Sequence, residues 1–119
     1  MRMTQAEVDA HNLRVCPANK IPVPADAVTD ESELHADIRA ECRRRGWMCF
    51  GGDMSHRTRR VAGEPDFVIA AYGRVYFVEC KTRVGKLCAV QVAVAAALSR
   101  LGHTVHIVRS MSDFIALTK

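Results

Sequence analysis

Length, composition and charge limit what this chain can be. Its 119 residues allow one domain with a modest hydrophobic core and are too few for two. The 17 Lys and Arg against 13 Asp and Glu give a formal net charge of +4, which favours a polyanionic partner such as nucleic acid. Five cysteines without CxxC spacing indicate neither a disulfide framework nor a zinc site, and free thiols are typical of a reducing cytoplasm. Without a signal-peptide pattern or an apolar run of roughly 20 residues, we expect a cytoplasmic protein with no membrane partner.

The first 28 residues are expected to form an N-terminal arm or linker, separate from a domain at 29–119. Thr4 and Glu7 have capping-box spacing, which predicts a short helix to about Arg14. Prolines at positions 17, 22 and 24 then favour extended backbone, because each restricts the residue before it. We assign no chemistry to this segment.

A helix is predicted over 31–45, with Asp30 as its N-cap and Gly46 as its end. Its apolar stripe consists of Leu34, Ile38 and Cys42.

Glu31 falls on the same stripe as the apolar residues of this helix. A carboxylate on a buried face needs a partner, so Glu31 is a candidate active-site acid. Alternatively, Glu31 is only a first-turn acid favoured by the helix dipole. Glu33 is a second candidate for the acid, although its position three residues after Asp30 explains it as a capping residue.

A short strand is predicted at 47–50, stopped by a pair of glycines, and a basic loop follows at 53–63. The loop contains His56 and three arginines. The arginines are expected to bind DNA phosphates: Arg57, Arg59 and Arg60. A solvated charged loop is the alternative. No catalytic role is assigned to His56.

Two apolar runs, 66–71 and 74–81, flank Tyr72-Gly73 and predict a β-hairpin. A turn at this place puts Asp66 opposite Glu79, with Cβ atoms about 4.5–5.5 Å apart. Two carboxylates so close repel each other, and a hard divalent cation such as Mg²⁺ between them would relieve the repulsion. Strand alternation places Lys81 on the same face as Glu79. The hairpin therefore predicts a metal site with an ammonium group beside it.

Both faces of the hairpin carry apolar residues, which predicts two central strands in a sheet that is covered on both sides. Cys80 points away from Glu79 and Lys81, so its side chain is expected to pack in the core.

A basic turn at 82–86 leads into a helix predicted over 87–101. The predicted buried stripe is Leu87, Val90, Val94, Leu98 and Leu101, and Gln91 falls on it. A glutamine facing the core should be hydrogen-bonded, although it could also sit at the edge of the stripe. Gly102 caps the helix, a strand is expected at 103–109, and a short helix at 110–117 closes the chain. The element order is thus α-β-β-β-α-β-α.

Pro65-Asp66, followed by Glu79-Cys80-Lys81, resembles the PD-(D/E)XK signature of restriction-endonuclease-like nucleases. The residues around this signature resemble those of the VRR-NUC branch, especially its minimal viral and bacterial members: positions 63–67, 78–81, 85–87, 91 and 101–103. The resemblance covers 29–119. It implies an α/β fold with a restriction-endonuclease-like core, α-β-β-β-α-β, in which helices flank a central mixed sheet.

For function, the resemblance implies a Mg²⁺- or Mn²⁺-dependent endonuclease that cleaves branched DNA. The favoured substrate is a Holliday (four-way) junction, cut by a homodimer in a bacterial cell or a virus-infected host cell. The implied catalytic residues are Glu31, Asp66, Glu79, Lys81 and Gln91. The implied metal ligands are Asp66, Glu79, the backbone carbonyl of Cys80 and, directly or through water, Glu31. Arg83 and Lys86 of the basic turn are expected to join the loop arginines in DNA binding.

Three other functions stay open. The same site could serve a monomeric flap, end-processing or nicking nuclease. The chain could be a DNA-binding module with a vestigial site, although Asp66, Glu79 and Lys81 are intact. A small metabolite-binding α/β protein would leave Glu31 and Gln91 on apolar stripes unexplained.

Overall fold

The computed structural model describes residues 23–52 and 61–119. The expected helix near the N-terminus and the loop with Arg57, Arg59 and Arg60 lie outside these ranges. Within them the chain forms seven elements in this order: α1 (Glu31–Arg45), β1 (Met48–Gly51), β2 (Phe67–Ala71), β3 (Arg74–Cys80), α2 (Ala89–Arg100), β4 (Val105–Val108) and α3 (Met111–Leu117). The predicted α/β fold and element order are confirmed.

The four strands form one mixed sheet in the order β1-β2-β3-β4. β1 pairs antiparallel with β2, and β2 with β3, whereas β3 and β4 are parallel. The hairpin has the predicted register, in which Phe67 pairs with Val78 and Ala71 with Arg74. Gly73, in the turn, has a φ of +70° that favours glycine.

α1 begins and ends where its caps predict. Asp30 Oδ1 accepts hydrogen bonds from the N–H of Ser32 at 2.9 Å and from its Oγ at 2.8 Å. Gly46 ends the helix in the left-handed conformation, with φ +75°. The predicted stripe of Leu34, Ile38 and Cys42 is buried.

The main core lies between α1, α3 and one face of the sheet. Its fully buried side chains are Leu34, Ile38 and Cys42 from α1, Phe67 and Ile69 from β2, Val78 and Cys80 from β3, Val108 from β4 and Phe114 from α3. Each large apolar side chain contributes about 1.5–3 kcal/mol through burial. Cys80 packs in this core, as expected from the strand alternation.

Residues 23–52 and 61–119 cover the opposite sheet face only in part, so within these ranges the expectation of full cover on both sides is wrong. α2 lies on this face, near the end of β3, where Gln91 reaches Glu79. On the half of this face formed by β1 and the hairpin, Met48, Phe50 and Val75 stay exposed. The reason is that α2 is one 12-residue helix beside β4 and cannot span four strands.

The buried stripe predicted for α2 is also wrong. The helix buries Val92, Ala95 and Ala96, whereas Val90 and Leu101 are exposed. Nearly every residue of α2 is apolar, so periodicity alone does not select a face. The buried face combines one valine with two small alanines, whereas the predicted stripe consisted of larger side chains.

Residues 25–28 pack against the domain. Val28 N–H donates to the Arg109 carbonyl at 2.8 Å, and Ser112 Oγ donates to Asp26 Oδ1 at 2.6 Å. The backbone N–H of Arg83 in turn donates to the Val28 carbonyl at 2.8 Å. This short segment thus connects the basic turn to the start of α3.

Candidate active site

The hairpin brings the two predicted acids together. Asp66 immediately precedes β2, and Glu79 lies near the end of β3, in the register that pairs Phe67 with Val78. Asp66 Oδ2 accepts the backbone N–H of Cys80 at 2.8 Å. The Asp66 and Glu79 carboxyl groups also share a side-chain hydrogen bond. Glu79 is almost fully buried, with only 3% of its surface exposed.

Burial and proximity separate the acidities of the two carboxyls. Desolvation, and then the charge and hydrogen bond of Asp66, raise the pKa of Glu79 to about 9. Burial alone would raise the pKa of Asp66 too, but polar contacts with His35, the Cys80 N–H and Glu79 hold it below its ordinary value. At neutral pH the pair therefore holds one proton and carries one negative charge.

Two further predicted residues contact Glu79. Lys81 Nζ lies 3.9 Å from Glu79 Oε1, and the lysine side chain is mostly buried. Gln91 Nε2 donates to the same oxygen at 3.1 Å. The predicted group of Asp66, Glu79, Lys81 and Gln91 is thus assembled from the two hairpin strands and the first turn of α2.

Glu31 approaches this group from the first turn of α1. Its negative charge helps to raise the pKa values of both Glu79 and Cys80, so it lies within electrostatic reach of the carboxylate pair. Glu31 is half-buried, whereas Glu33 is exposed. Of the two candidates for a third acid, Glu31 is the one that faces the site.

Sequence reasoning missed His35. The imidazole is 95% buried, its ring packs edge-on against Phe67, and its Nε2 lies 3.4 Å from Asp66 Oδ2. His35 follows Glu31 by four residues and precedes Ile38 by three, which is the spacing of the buried stripe. The helical spacing could therefore have placed it beside the acids.

The two predicted DNA contacts within the described ranges, Arg83 and Lys86, are exposed on the turn between β3 and α2. Arg83 Nη2 donates to the Ala25 carbonyl at 2.8 Å. The buried Arg109 stabilises this turn. Its Nη1 donates hydrogen bonds to the carbonyl oxygens of Thr82 and Gly85, the latter at 2.7 Å. The turn therefore has a fixed backbone beside the carboxylate pair.

Comparisons of the chain with protein-family models, with curated proteins and with solved structures find no match. Among residues 23–52 and 61–119, no helix is long and apolar enough to cross a membrane. The inference of function therefore depends on the chemistry of the site.

Proposed function

We propose that this protein is a metal-dependent DNA endonuclease that hydrolyses phosphodiester bonds in branched DNA, with the four-way junction as its preferred substrate. One observation carries the proposal. Asp66, which is mostly buried, and Glu79, which is almost fully buried, form a carboxyl pair at the end of the hairpin, and the Lys81 ammonium group lies 3.9 Å from Glu79. Two carboxyl groups that can hold a divalent cation, with a positive charge beside them, can support metal-assisted phosphodiester hydrolysis.

The carboxyl pair fits Mg²⁺ or Mn²⁺. Because burial forces Glu79 to keep a proton beside the charged Asp66, a divalent cation can replace that proton and neutralise both carboxylates. Asp66 and Glu79 would hold the ion, Glu31 could join directly or through water, and the Cys80 carbonyl is a further predicted ligand. When bound, such an ion lowers the pKa of coordinated water and acts as a Lewis acid at the phosphate.

The remaining groups have separate roles. Lys81 supplies a positive charge that can stabilise negative charge developing on the scissile phosphate or position the attacking water. Gln91 fixes the orientation of Glu79 through the hydrogen bond to Oε1.

DNA binding is supported by charge. The chain has a net charge of +4, which favours a polyanionic partner. Arg83 and Lys86 follow Lys81 closely in sequence and are exposed, so they can contact phosphates. The preference for a four-way junction and the homodimer are inferred from the motif resemblance.

The test uses the purified chain with labelled four-way junction, flap and linear duplex DNA, in Mg²⁺, Mn²⁺ or a chelator. The variant Asp66→Asn removes one acid of the pair, and Asp37→Asn, an exposed acid on α1, is its control. We expect metal-dependent cleavage of the junction by the wild type and the control, and none by Asp66→Asn. Preferred cutting of flaps or ends would assign the site to a different nuclease. Binding without cleavage of any DNA would indicate a vestigial DNA-binding module.

A further inference from the structure

Three donor side chains of different chemistry meet on the core side of Asp66. His35 comes from α1, Asp66 from the residue before β2 and Cys80 from the end of β3. An imidazole nitrogen, a carboxylate oxygen and Cys80 Sγ all lie within 4.8 Å of one another. The sequence shows no zinc-ligand spacing, since these residues are 31 and 14 positions apart and only the fold brings them together.

His35 is the informative member of this group. The residue is 95% buried, yet Nε2 makes no hydrogen bond within the described ranges. Its 3.4 Å approach to Asp66 Oδ2 is too poorly aligned for one. A buried polar atom without a partner costs stability, so it needs an explanation. The imidazole nitrogen lies beside a carboxylate oxygen and a thiol sulfur, and histidine binds metals through its neutral ring nitrogen, so His35 is an available metal ligand.

We propose that His35, Asp66 and Cys80 form a binding site for Zn²⁺, separate from the Mg²⁺ or Mn²⁺ position between Asp66 and Glu79. Nitrogen, sulfur and oxygen donors of this kind are the common ligands of zinc, whereas Mg²⁺ prefers oxygen alone. Three protein ligands leave a fourth position for water or another donor. Binding releases the Cys80 thiol proton to solvent, because only the thiolate coordinates.

The geometry needs a small adjustment. Zinc bonds of about 2.0–2.3 Å place tetrahedral donors roughly 3.3–3.8 Å apart, so the widest pair must close by about 1 Å. Asp66 precedes β2 and can supply most of this movement, since Cys80 belongs to the buried core and His35 packs edge-on against Phe67.

The proposed zinc site shares Asp66 with the proposed catalytic site. Zinc on the core side would draw the carboxylate toward His35 and Cys80 and away from Glu79. Zn²⁺ would then inhibit cleavage by competing for Asp66, and it would not replace Mg²⁺. This inhibition, unlike zinc binding itself, rests on the proposed nuclease function.

Binding is tested with the full chain and without DNA. Co²⁺, a spectroscopic substitute for Zn²⁺, is titrated while thiolate-to-cobalt and tetrahedral absorption bands are recorded, and Zn²⁺ is titrated in a calorimeter. We expect one ion per chain, loss of the thiolate band in Cys80→Ala and at least about tenfold weaker binding in His35→Leu. Cys42→Ala is the matched control, because Cys42 is also a buried core thiol but lies outside the donor group. If Cys80→Ala fails to fold, His35→Leu alone still tests the site, since leucine suits a buried position.

The absence of a thiolate band, or a band that persists in Cys80→Ala and disappears in Cys88→Ser, would overturn the zinc site. Of the four cysteines in the described ranges, Cys88 is the exposed one and would bind adventitious metal most readily. The inhibitory consequence is tested by adding Zn²⁺ to junction cleavage in Mg²⁺. We expect Zn²⁺ to inhibit the wild type and Cys42→Ala, and at least about tenfold more Zn²⁺ to be needed for His35→Leu. If the wild type does not cleave DNA, the nuclease proposal fails, and the cobalt and zinc titrations still decide the metal site. If cleavage occurs and Zn²⁺ binds but does not inhibit, the competition for Asp66 is wrong.

Discussion

Gln91 holds Glu79 against the first turn of α2. Its Nε2 donates to Glu79 Oε1 at 3.1 Å, while its own Oε1 accepts the Cys88 N–H at 3.0 Å. One amide therefore caps the helix and orients a carboxyl group of the candidate site. The position of the helix start and the geometry of the acid pair are linked through this side chain.

Replacing Gln91 with methionine keeps the length of the side chain and removes both hydrogen bonds. We expect the free energy of unfolding to fall by about 1 kcal/mol, because the helix start loses its cap. Metal affinity or cleavage should fall by at least about tenfold, as for other residues that orient a ligand. Ala89→Met, exposed in the same helical turn, is the control for the larger side chain. Urea unfolding and metal titration measure the two effects, and a variant that loses stability with unchanged metal affinity would restrict Gln91 to a capping role.

Glu79 should make the metal-free protein less stable as the pH rises. Its pKa is about 9 in the folded chain against an ordinary value of 4.5. Between these values the folded state keeps a proton that the unfolded state has released, so the unfolded state binds fewer protons. The free energy of unfolding then falls by up to about 1.4 kcal/mol per pH unit.

The measurement is urea unfolding in a chelator from about pH 5 to about pH 8. Glu79→Gln should flatten the slope, because an amide does not titrate, whereas the exposed control Glu33→Gln should keep it. Mg²⁺ should reduce the slope in the wild type by stabilising the ionised carboxylate. An equal slope in wild type and Glu79→Gln would show that Glu79 is not protonated in the folded protein.

The two lysines near the site should differ in their effects. Lys81 is mostly buried beside Glu79, whereas Lys86 is exposed on the basic turn. Lys81→Met is expected to lower kcat by roughly 10²–10³ with little change in DNA affinity, because its charge acts at the reacting phosphate. Lys86→Met should instead weaken DNA binding. It should also reduce the slope of log binding constant against log salt concentration by roughly one, because one fewer counterion is released. Single-turnover cleavage and binding over a range of salt concentrations separate the two, and matching phenotypes would contradict this division.

Local sequence signals predict most of this fold. Asp30 and Gly46 define α1, and Tyr72-Gly73 sets the hairpin register that brings Asp66 to Glu79. These features depend on capping and turn chemistry within a few residues, so they can be found without tertiary information. The candidate acids and Lys81 follow from that register, because strand alternation fixes which side chains share a face.

The features that sequence reasoning missed depend on tertiary contacts. The helix α2 buries Val92, Ala95 and Ala96, and because nine of its twelve residues are apolar, its sequence has no polar face that would reveal the buried one. His35 has the spacing of the α1 stripe, but its contact with Asp66 requires knowing how α1 lies on the hairpin. The incomplete cover of the second sheet face likewise follows from the placement of a single helix.

Gly52 should tolerate substitution far less well than Gly73, although the two have nearly the same φ, +73° and +70°. A Cβ at Gly52 would lie 2.3 Å from the Phe67 ring and 2.6 Å from Arg39 Nη1, whereas a Cβ at Gly73 meets nothing within 4 Å. We expect Gly73→Ala to cost about 1 kcal/mol for the left-handed backbone. Gly52→Ala should cost a further 1–3 kcal/mol or so from overpacking. Thermal unfolding compares the two variants, and equal losses would show that the Gly52 backbone can shift to make room.

The exposed apolar strip of Met48, Phe50 and Val75 is where we expect the second copy of a homodimer to bind. β1 and β3 both pair with β2, in a register that places these three side chains on one sheet face, and each has more than half of its surface exposed, at 60%, 55% and 58%. An apolar strip on a sheet face is a common contact surface, and two-fold dimers are the commonest oligomers.

Phe50→Arg places a charge on this strip and, in a two-fold dimer, sets two like charges close to each other. We therefore expect the dimer to dissociate, with a monomer mass in sedimentation at concentrations where the wild type is dimeric. Val84→Arg is the control, since Val84 is an equally apolar and even more exposed residue on the turn after β3. A monomeric Phe50→Arg variant that still cuts single strands but no longer resolves both strands of a junction would connect the dimer to its substrate. A wild type that sediments as a monomer, or a dimer unaffected by Phe50→Arg, would exclude this strip as the subunit contact.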